Sequence, residues 1–380
     1  MGLRDIFCQD RAIEQLQRAF AAGRMPHAYI FAGPDGVGKF TTARELAKML
    51  LCHDRIQTGG EGPFADSCAR CESCLLFEQG AAHPDFVALS KEMIRFVRDP
   101  EERKRSPTEF PKSVVDEFLI EKVAARPAMG ERKVYVIRQA ERLNRSSQNA
   151  LLKVLEEPPP HCLIVLLCTR VDSLLPTTLS RCQVVRFGPV DEARIVRRLT
   201  DEGTPQTEAL FWARLSMGSL GGALVWAQTR PRDTSAYAIK TALVERFVGC
   251  GLADVPELAE WMIASGKLIA AAWSQQMPQT SGAEIGRLAQ KGMVHIVVCA
   301  LADAMHVSLG RSNGLVNVDQ KACVERLAGR WSAEDLARLV AKGHESLGWI
   351  DDYVNEKLLF EELLFSYADP AILKGCRVDE

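Results

Sequence analysis

The sequence predicts an α/β protein: a parallel sheet built round a phosphate-loop motif, followed by three short helices over 191–230 and an all-α C-terminal region. Three observations predict it. The stretch Gly33-Pro34-Asp35-Gly36-Val37-Gly38-Lys39 lies between a short apolar run and a helical pattern. Strand-like segments at 28–32, 86–89, 133–137, 162–169 and 183–187 alternate with helical segments, as in a parallel sheet with crossover helices. Beyond about residue 190 only helical periodicity remains.

A chain of 380 residues is long for one core, so two or three domains are expected. An apolar fraction of 47% and a charged fraction of 25% are those of an ordinary soluble protein. The net charge of −2 excludes an overall basic field, so any DNA contact would be local or shared with partners. Met1-Gly2-Leu3-Arg4-Asp5-Ile6 lacks a hydrophobic signal core, and Ile6 spoils a myristoylation motif. No continuous apolar run approaches bilayer length, so a cytosolic protein is expected. In that compartment twelve cysteines point to metal rather than to a disulfide framework.

In chain order, 10–22 reads as an amphipathic helix with Ile13, Leu16 and Phe20 on one face. His27, with no other ligand-type residue nearby, reads as a packing or turn residue. Ala28-Tyr29-Ile30-Phe31-Ala32 is a buried strand, and 42–51 is helical. Between them Gly33, Gly36 and Gly38 let backbone N–H groups approach phosphate oxygens, and Lys39 reaches the outer phosphates. The next residue should be Ser or Thr, whose hydroxyl ligates Mg²⁺. Phe40 has no oxygen to offer, and Thr41 points about 100° further round the helix. A nucleotide, ATP or ADP, is expected with impaired Mg²⁺ ligation.

Cys52, Cys68, Cys71 and Cys74 supply four soft thiolates, the donor set of a closed structural zinc site. His53 is an alternative fourth ligand, and 59–63 reads as loop. After the strand Phe86–Leu89, the stretch 91–112 mixes Arg, Lys and Glu with prolines and reads as a solvated excursion, with a DNA-contacting patch as the weaker reading. A helix is expected over 113–125, with Val114, Phe118, Ile120 and Val123 inward. The strand 133–137 should end in adjacent acidic residues, the first positioning Mg²⁺ and the second polarising water. Arg138 and Gln139 stand there, and Glu141 lies too far along. Asn144 caps a helix whose buried side carries Ala150, Leu151, Val154 and Leu155, and Pro158-Pro159-Pro160 stops it. The run 162–169 is apolar throughout, as for a strand buried on both faces.

The order of Gly33–Lys39, the cysteine cluster, Asn149-Ala150-Leu151-Leu152-Lys153-Val154-Leu155-Glu156-Glu157-Pro158-Pro159 and Ser180-Arg181-Cys182 resembles the clamp-loader AAA+ proteins of bacteria. The clear likeness covers about 5–230, with a weaker echo at the C-terminal end, and the altered acidic motif is similar to the non-hydrolysing branch. The resemblance implies an AAA+ domain at 1–189 holding the zinc module (52–74), a lid at 190–232 and a collar for oligomerisation at 233–380. It implies a structural zinc, and it makes Arg181 a finger that reaches a neighbouring subunit's ATP. It also implies a heteropentamer with gamma/tau-type and delta-type subunits, a sliding clamp, and primer–template DNA met through the complex. In hydrolysing relatives an arginine stands where Gly221 does, so Phe40, Arg138/Gln139 and Gly221 are three losses in one reaction. The alternatives are a gamma/tau-type ATPase motor and an unrelated P-loop phosphotransferase, for which no acceptor base is visible. The plain readings are a surface Arg181 paired with a carboxylate and a helical bundle without a partner.

Overall fold

The computed structural model describes residues 2–58, 64–105, 108–232, 234–278 and 280–369. The expected loop at 59–63 and residues 106–107 of the charged excursion lie outside them, as does the end of the expected collar from 370. The chain divides into two compact units, 1–190 and 191–380.

In the first unit the apolar runs form a five-stranded sheet. Its strands are β1 (Ala28–Ala32), β4 (Phe86–Leu89), β5 (Lys133–Ile137), β6 (Cys162–Cys168) and β7 (Gln183–Arg186), in the order β4-β5-β6-β1-β7 and all parallel. β1 and β6 are central and buried at every position, which is why their sequences are apolar without alternation. Alternate side chains divide between two cores. Tyr29 and Phe31 pack with Ile13, Leu16 and Leu46 from the helices Asp10–Ala21 and Lys39–Leu51. Ala28, Ile30 and Ala32 face Val114, Leu119, Leu151 and Leu155 from the helical segments on the opposite side. Each fully buried Leu, Ile or Phe contributes about 1.5–3 kcal/mol.

One expectation is corrected, and one short ribbon was not anticipated. Around the stretch read as loop, β2 (Ile56–Thr58) and β3 (Phe64–Asp66) pair as an antiparallel ribbon. The excursion 91–112 is anchored rather than solvated, since Ile94, Val97 and Phe110 are in the core and Phe110 N–H donates to Arg142 O at 2.7 Å. The helix expected at 113–125 forms as consecutive turns from Lys112 to Val123, widening to a π-turn at Asp116–Ile120.

The second unit is helical. Glu192–Asp201, Gln206–Leu215 and Leu220–Gln228 are three short helices within 191–230. Ala236–Gly249, Val255–Gln276, Gly282–Ser308, Lys321–Arg330, Ala333–Asp351 and Glu356–Ala368 follow. Asp191, Ser219, Ser235, Ser281, Ser332 and Asn355 each cap the helix they precede through a side-chain oxygen. Trp226 stacks on Trp212 at 5.0 Å and meets Trp273 edge-on at 4.8 Å, and Trp273 Nε1 donates to Thr229 Oγ1 at 2.7 Å. Gly343 lets two helices close up, because a Cβ there would lie 2.3 Å from a Val298 methyl. By length and composition Gly282–Ser308 is long and apolar enough to cross a membrane, contrary to the reading of the sequence. Its Met293, Val294, Ile296, Val297, Ala300 and Leu301 are instead buried against helices of its own unit.

Candidate functional site

The phosphate loop leaves the C-terminal end of β1, an inner strand between β6 and β7. Gly33 N–H donates to Cys168 O at 3.1 Å, and a Cβ on Gly33 would lie 2.2 Å from Phe187 O, so only glycine fits that turn. Gly38 precedes Lys39–Leu51 with φ 101°, again a glycine conformation. Lys39 is almost fully buried and its Nζ donates to Gly33 O at 2.6 Å and Pro34 O at 2.7 Å, with Asp35 at 3.7 Å. Burial lowers its pKa, opposed by the charges of Asp35 and Glu141. The ammonium therefore closes the loop on itself and must exchange these carbonyls for phosphate oxygens when a nucleotide enters.

The groups round the lysine do not suit Mg²⁺, which needs near-octahedral oxygen donors. Phe40 is in the first helical turn, and the Arg138 guanidinium lies over its ring, 4.9 Å from the centroid. Gln139 has φ 52° and opens the turn after β5. Glu141 accepts from Thr169 Oγ1 at 3.0 Å and Thr169 N–H at 3.3 Å, so the nearby carboxylate is already engaged. Thr41 is half-buried, and the hydroxyl of its neighbour Thr42 bonds back to Gly38 O at 2.9 Å. In the second unit, Gly221 lies in the first turn of Leu220–Gln228, whose cap is Ser219.

The four cysteines come together, their sulfurs all within 4.8 Å of one another, and His53 is not among them. Cys52 to Cys71 is 3.9 Å and Cys68 to Cys74 is 4.0 Å. A tetrahedral ion with Zn–S bonds of about 2.3 Å sets sulfurs roughly 3.8 Å apart, so the cluster fits zinc. Cys68 and Cys71 N–H groups donate to cluster sulfurs at 3.3 Å. Burial pushes the Cys68 thiol up, but N–H donors and neighbouring thiols outweigh it and bring it down to about 6. Burial raises Cys52 and Cys74. A metal here would tie the end of the loop's helix to the ribbon and to the helix Glu72–Glu78. Buried Lys48 pairs with Glu78 across the same join and lies 3.7 Å from buried Glu45.

Arg181 follows the short helix Pro176–Leu179. Its Nη2 lies 2.8 Å from Glu156 Oε1, and Nη1 donates to Thr177 O at 3.0 Å. Glu156 is the last residue of the capped helix Arg145–Glu156, where Asn144 Oδ1 accepts from Ser147 N–H at 2.9 Å. In the sequence Glu156 stands only within the stretch Asn149–Pro159, and no local pattern announces its partner. The stacking of Arg138 on Phe40 was equally hidden, because the two residues meet only across the sheet.

Comparison with known proteins now bears on this arrangement. The family described as DNA polymerase III, delta subunit, matches residues 8–191, and its C-terminal counterpart matches 283–368, together more than half of the chain. The chain belongs to the DNA polymerase III delta-subunit-like family. Its sheet and phosphate loop are those of the AAA+ clamp-loader fold. The tau subunit of Escherichia coli K12 is 34% identical over 229 residues, 58% of this chain and 31% of the relative. The tau/gamma subunit of Haemophilus influenzae is 33% identical over 226 residues, 58% and 29%. The chain thus spans about a third of the length of these relatives. A solved structure of a DNA polymerase III gamma subunit-related protein from Thermotoga maritima is 16% identical, covering 93% of this chain and 98% of its own, with a TM-score of 0.41.

Proposed function

We propose that this chain is a non-hydrolysing, delta-prime-type subunit of a DNA polymerase III clamp loader. The observation that carries the reading is Arg138 stacked on Phe40, which puts a cation and a ring where hydrolysis needs oxygen ligands for Mg²⁺. Gln139 cannot take a proton from water, and Gly221 has no side chain to sense a phosphate. The loop retains Gly33, Gly36, Gly38, Lys39 and Thr41 for binding ATP or ADP. In this reading 190–232 is a lid and 233–380 a collar, joining gamma/tau-type and delta-type subunits in a cytoplasmic heteropentamer. The assembly would open a sliding clamp and place it on primer–template DNA. Arg181 serves a neighbouring subunit's ATP, and Cys52, Cys68, Cys71 and Cys74 hold a structural zinc.

The second reading is a gamma/tau-type motor, favoured by 33–34% identity to relatives of that name. One experiment separates the two. The purified chain with Mg²⁺ and ATP should release no phosphate above background. Hydrolysis that Lys39→Ala abolishes would establish the motor and end the proposal.

A further inference from the structure

Phe40 and Arg138 do more than remove a metal site. Arg138 leaves β5 where a metal-binding carboxylate would stand, and its N–H donates to Leu89 O at 2.9 Å, which fixes its backbone at the C-terminal edge of the sheet. Its guanidinium is held over Phe40, the residue next to Lys39, at 4.9 Å. No carboxylate pairs with it among the described residues. Glu141, the acid nearest in sequence, is engaged by Thr169. The exposed Arg138 side chain therefore places a positive charge with a fork of N–H donors beside the phosphate loop, resting on a ring rather than on an anion.

We propose that Arg138 replaces Mg²⁺ as the counter-charge of a bound polyphosphate, so that the loop takes a free nucleoside di- or triphosphate without a divalent cation. Lys39 neutralises one phosphate charge from inside the loop, and Arg138 neutralises another from the side where the metal would sit. A guanidinium offers phosphate two parallel hydrogen bonds and needs no octahedral shell, which this site lacks. It also repels a second cation. Magnesium therefore meets the Arg138 charge on that side of the phosphates and competes with the guanidinium for the same oxygens. The inference rests on the nucleotide-binding reading of the loop.

The test is calorimetric titration of the full chain with ADP and with ATP, in EDTA and in excess Mg²⁺, alongside phosphate release. Binding is expected in EDTA, and Mg²⁺ should leave it unchanged or weaken it. Arg138→Ala should weaken binding in EDTA by about tenfold or more, and Arg138→Lys, which keeps the charge, by less. Thermal melts of both variants show that the fold is retained. Tighter binding with Mg²⁺ overturns the inference, as does an Arg138→Ala variant that binds like the unaltered chain, or no binding in either buffer. Magnesium-dependent binding without phosphate release overturns this inference alone, whereas phosphate release overturns the non-hydrolysing reading.

Discussion

On the proposed function, replacing Arg181 by alanine should leave the chain folded and assembled, yet lower the ATP turnover of the reconstituted complex. The structural cost is small. The Arg181 side chain is 34% exposed and Glu156 is 51% exposed, so their 2.8 Å pair lies in water. Such a pair contributes about 0–1 kcal/mol, which lowers the melting temperature by a few degrees at most. A finger reaching a neighbour's phosphoryl group contributes roughly 10³–10⁵ in rate, or about 4–7 kcal/mol. On the proposed finger role, the pair with Glu156 is weak beside what Arg181 would contribute to a neighbour's transition state. Glu156→Gln should therefore change turnover by less than about fivefold, while Arg181→Ala removes that site's share. Arg181→Lys should not rescue, because it lacks the planar fork. The assay is reconstitution with motor and delta-type subunits, gel filtration to confirm assembly, then DNA-stimulated ATP hydrolysis and clamp loading. Arg181→Ala and Arg181→Lys complexes that assemble and load at the unaltered rate would refute the finger. A Glu156→Gln complex as inactive as Arg181→Ala would refute the energetic argument.

Protein purified without chelator should carry one zinc per chain, and Cys74→Ser should lower both metal content and melting temperature, since a structural ion adds binding energy to folding; four freely titrating thiols and no metal would end that claim. His83 yields a pH dependence. Its Nδ1 accepts from Asp85 N–H at 3.0 Å, which leaves Nε2 to donate to Ser73 Oγ at 2.9 Å, and burial lowers its pKa, assisted by the charge of His53 and opposed by Asp85. The folded chain then binds this proton less readily than the unfolded chain, whose histidines titrate near about 6.5. The contribution is level above that pH and is lost as pH falls below it. His295, lowered by burial and by the charge of His344, acts in the same direction. Melts at pH 7.5 and 5.5 should show a smaller drop for His83→Gln than for the unaltered chain, and an equal drop would remove His83 from the account.

Local rules made the sheet and the loop legible. β6 reads as a buried strand because seven consecutive residues are apolar, and Asn144 reads as a cap because its side chain acts three residues away. The glycines of the loop are required by backbone geometry that their own neighbours impose. What stayed hidden depends on residues far apart in the chain. The strands of the β2–β3 ribbon have three residues each, too short for any periodicity. Ile94, Val97 and Phe110 are scattered among charges, so composition outvoted the three side chains that anchor the segment. The fourth ligand could not be chosen between Cys52 and His53 by spacing. Only the fold turns the Cys52 sulfur toward the other three.

Restoring metal ligands to the loop should restore metal binding without restoring catalysis. Phe40→Thr returns a hydroxyl beside Lys39, and Arg138→Asp returns a carboxylate to the exit of β5 while removing the charge that repels Mg²⁺. The two changes belong together, because Arg138 and Phe40 stabilise each other by about 0.5–1 kcal/mol and either change alone strands its partner. In the double variant nucleotide binding should become magnesium-dependent. Turnover needs more than the ion. Gln139 still cannot accept a proton from the attacking water, and on the proposed reading Gly221 still lacks the side chain of a phosphate sensor. Electrostatic stabilisation of the moving phosphoryl supplies most of the barrier reduction, so two missing contributors leave hydrolysis far below that of a competent site. Titration with and without Mg²⁺ reads the first claim, and phosphate release over hours reads the second. Steady turnover in the double variant would show that the metal position alone had silenced the site and that Gln139 and Gly221 cost nothing.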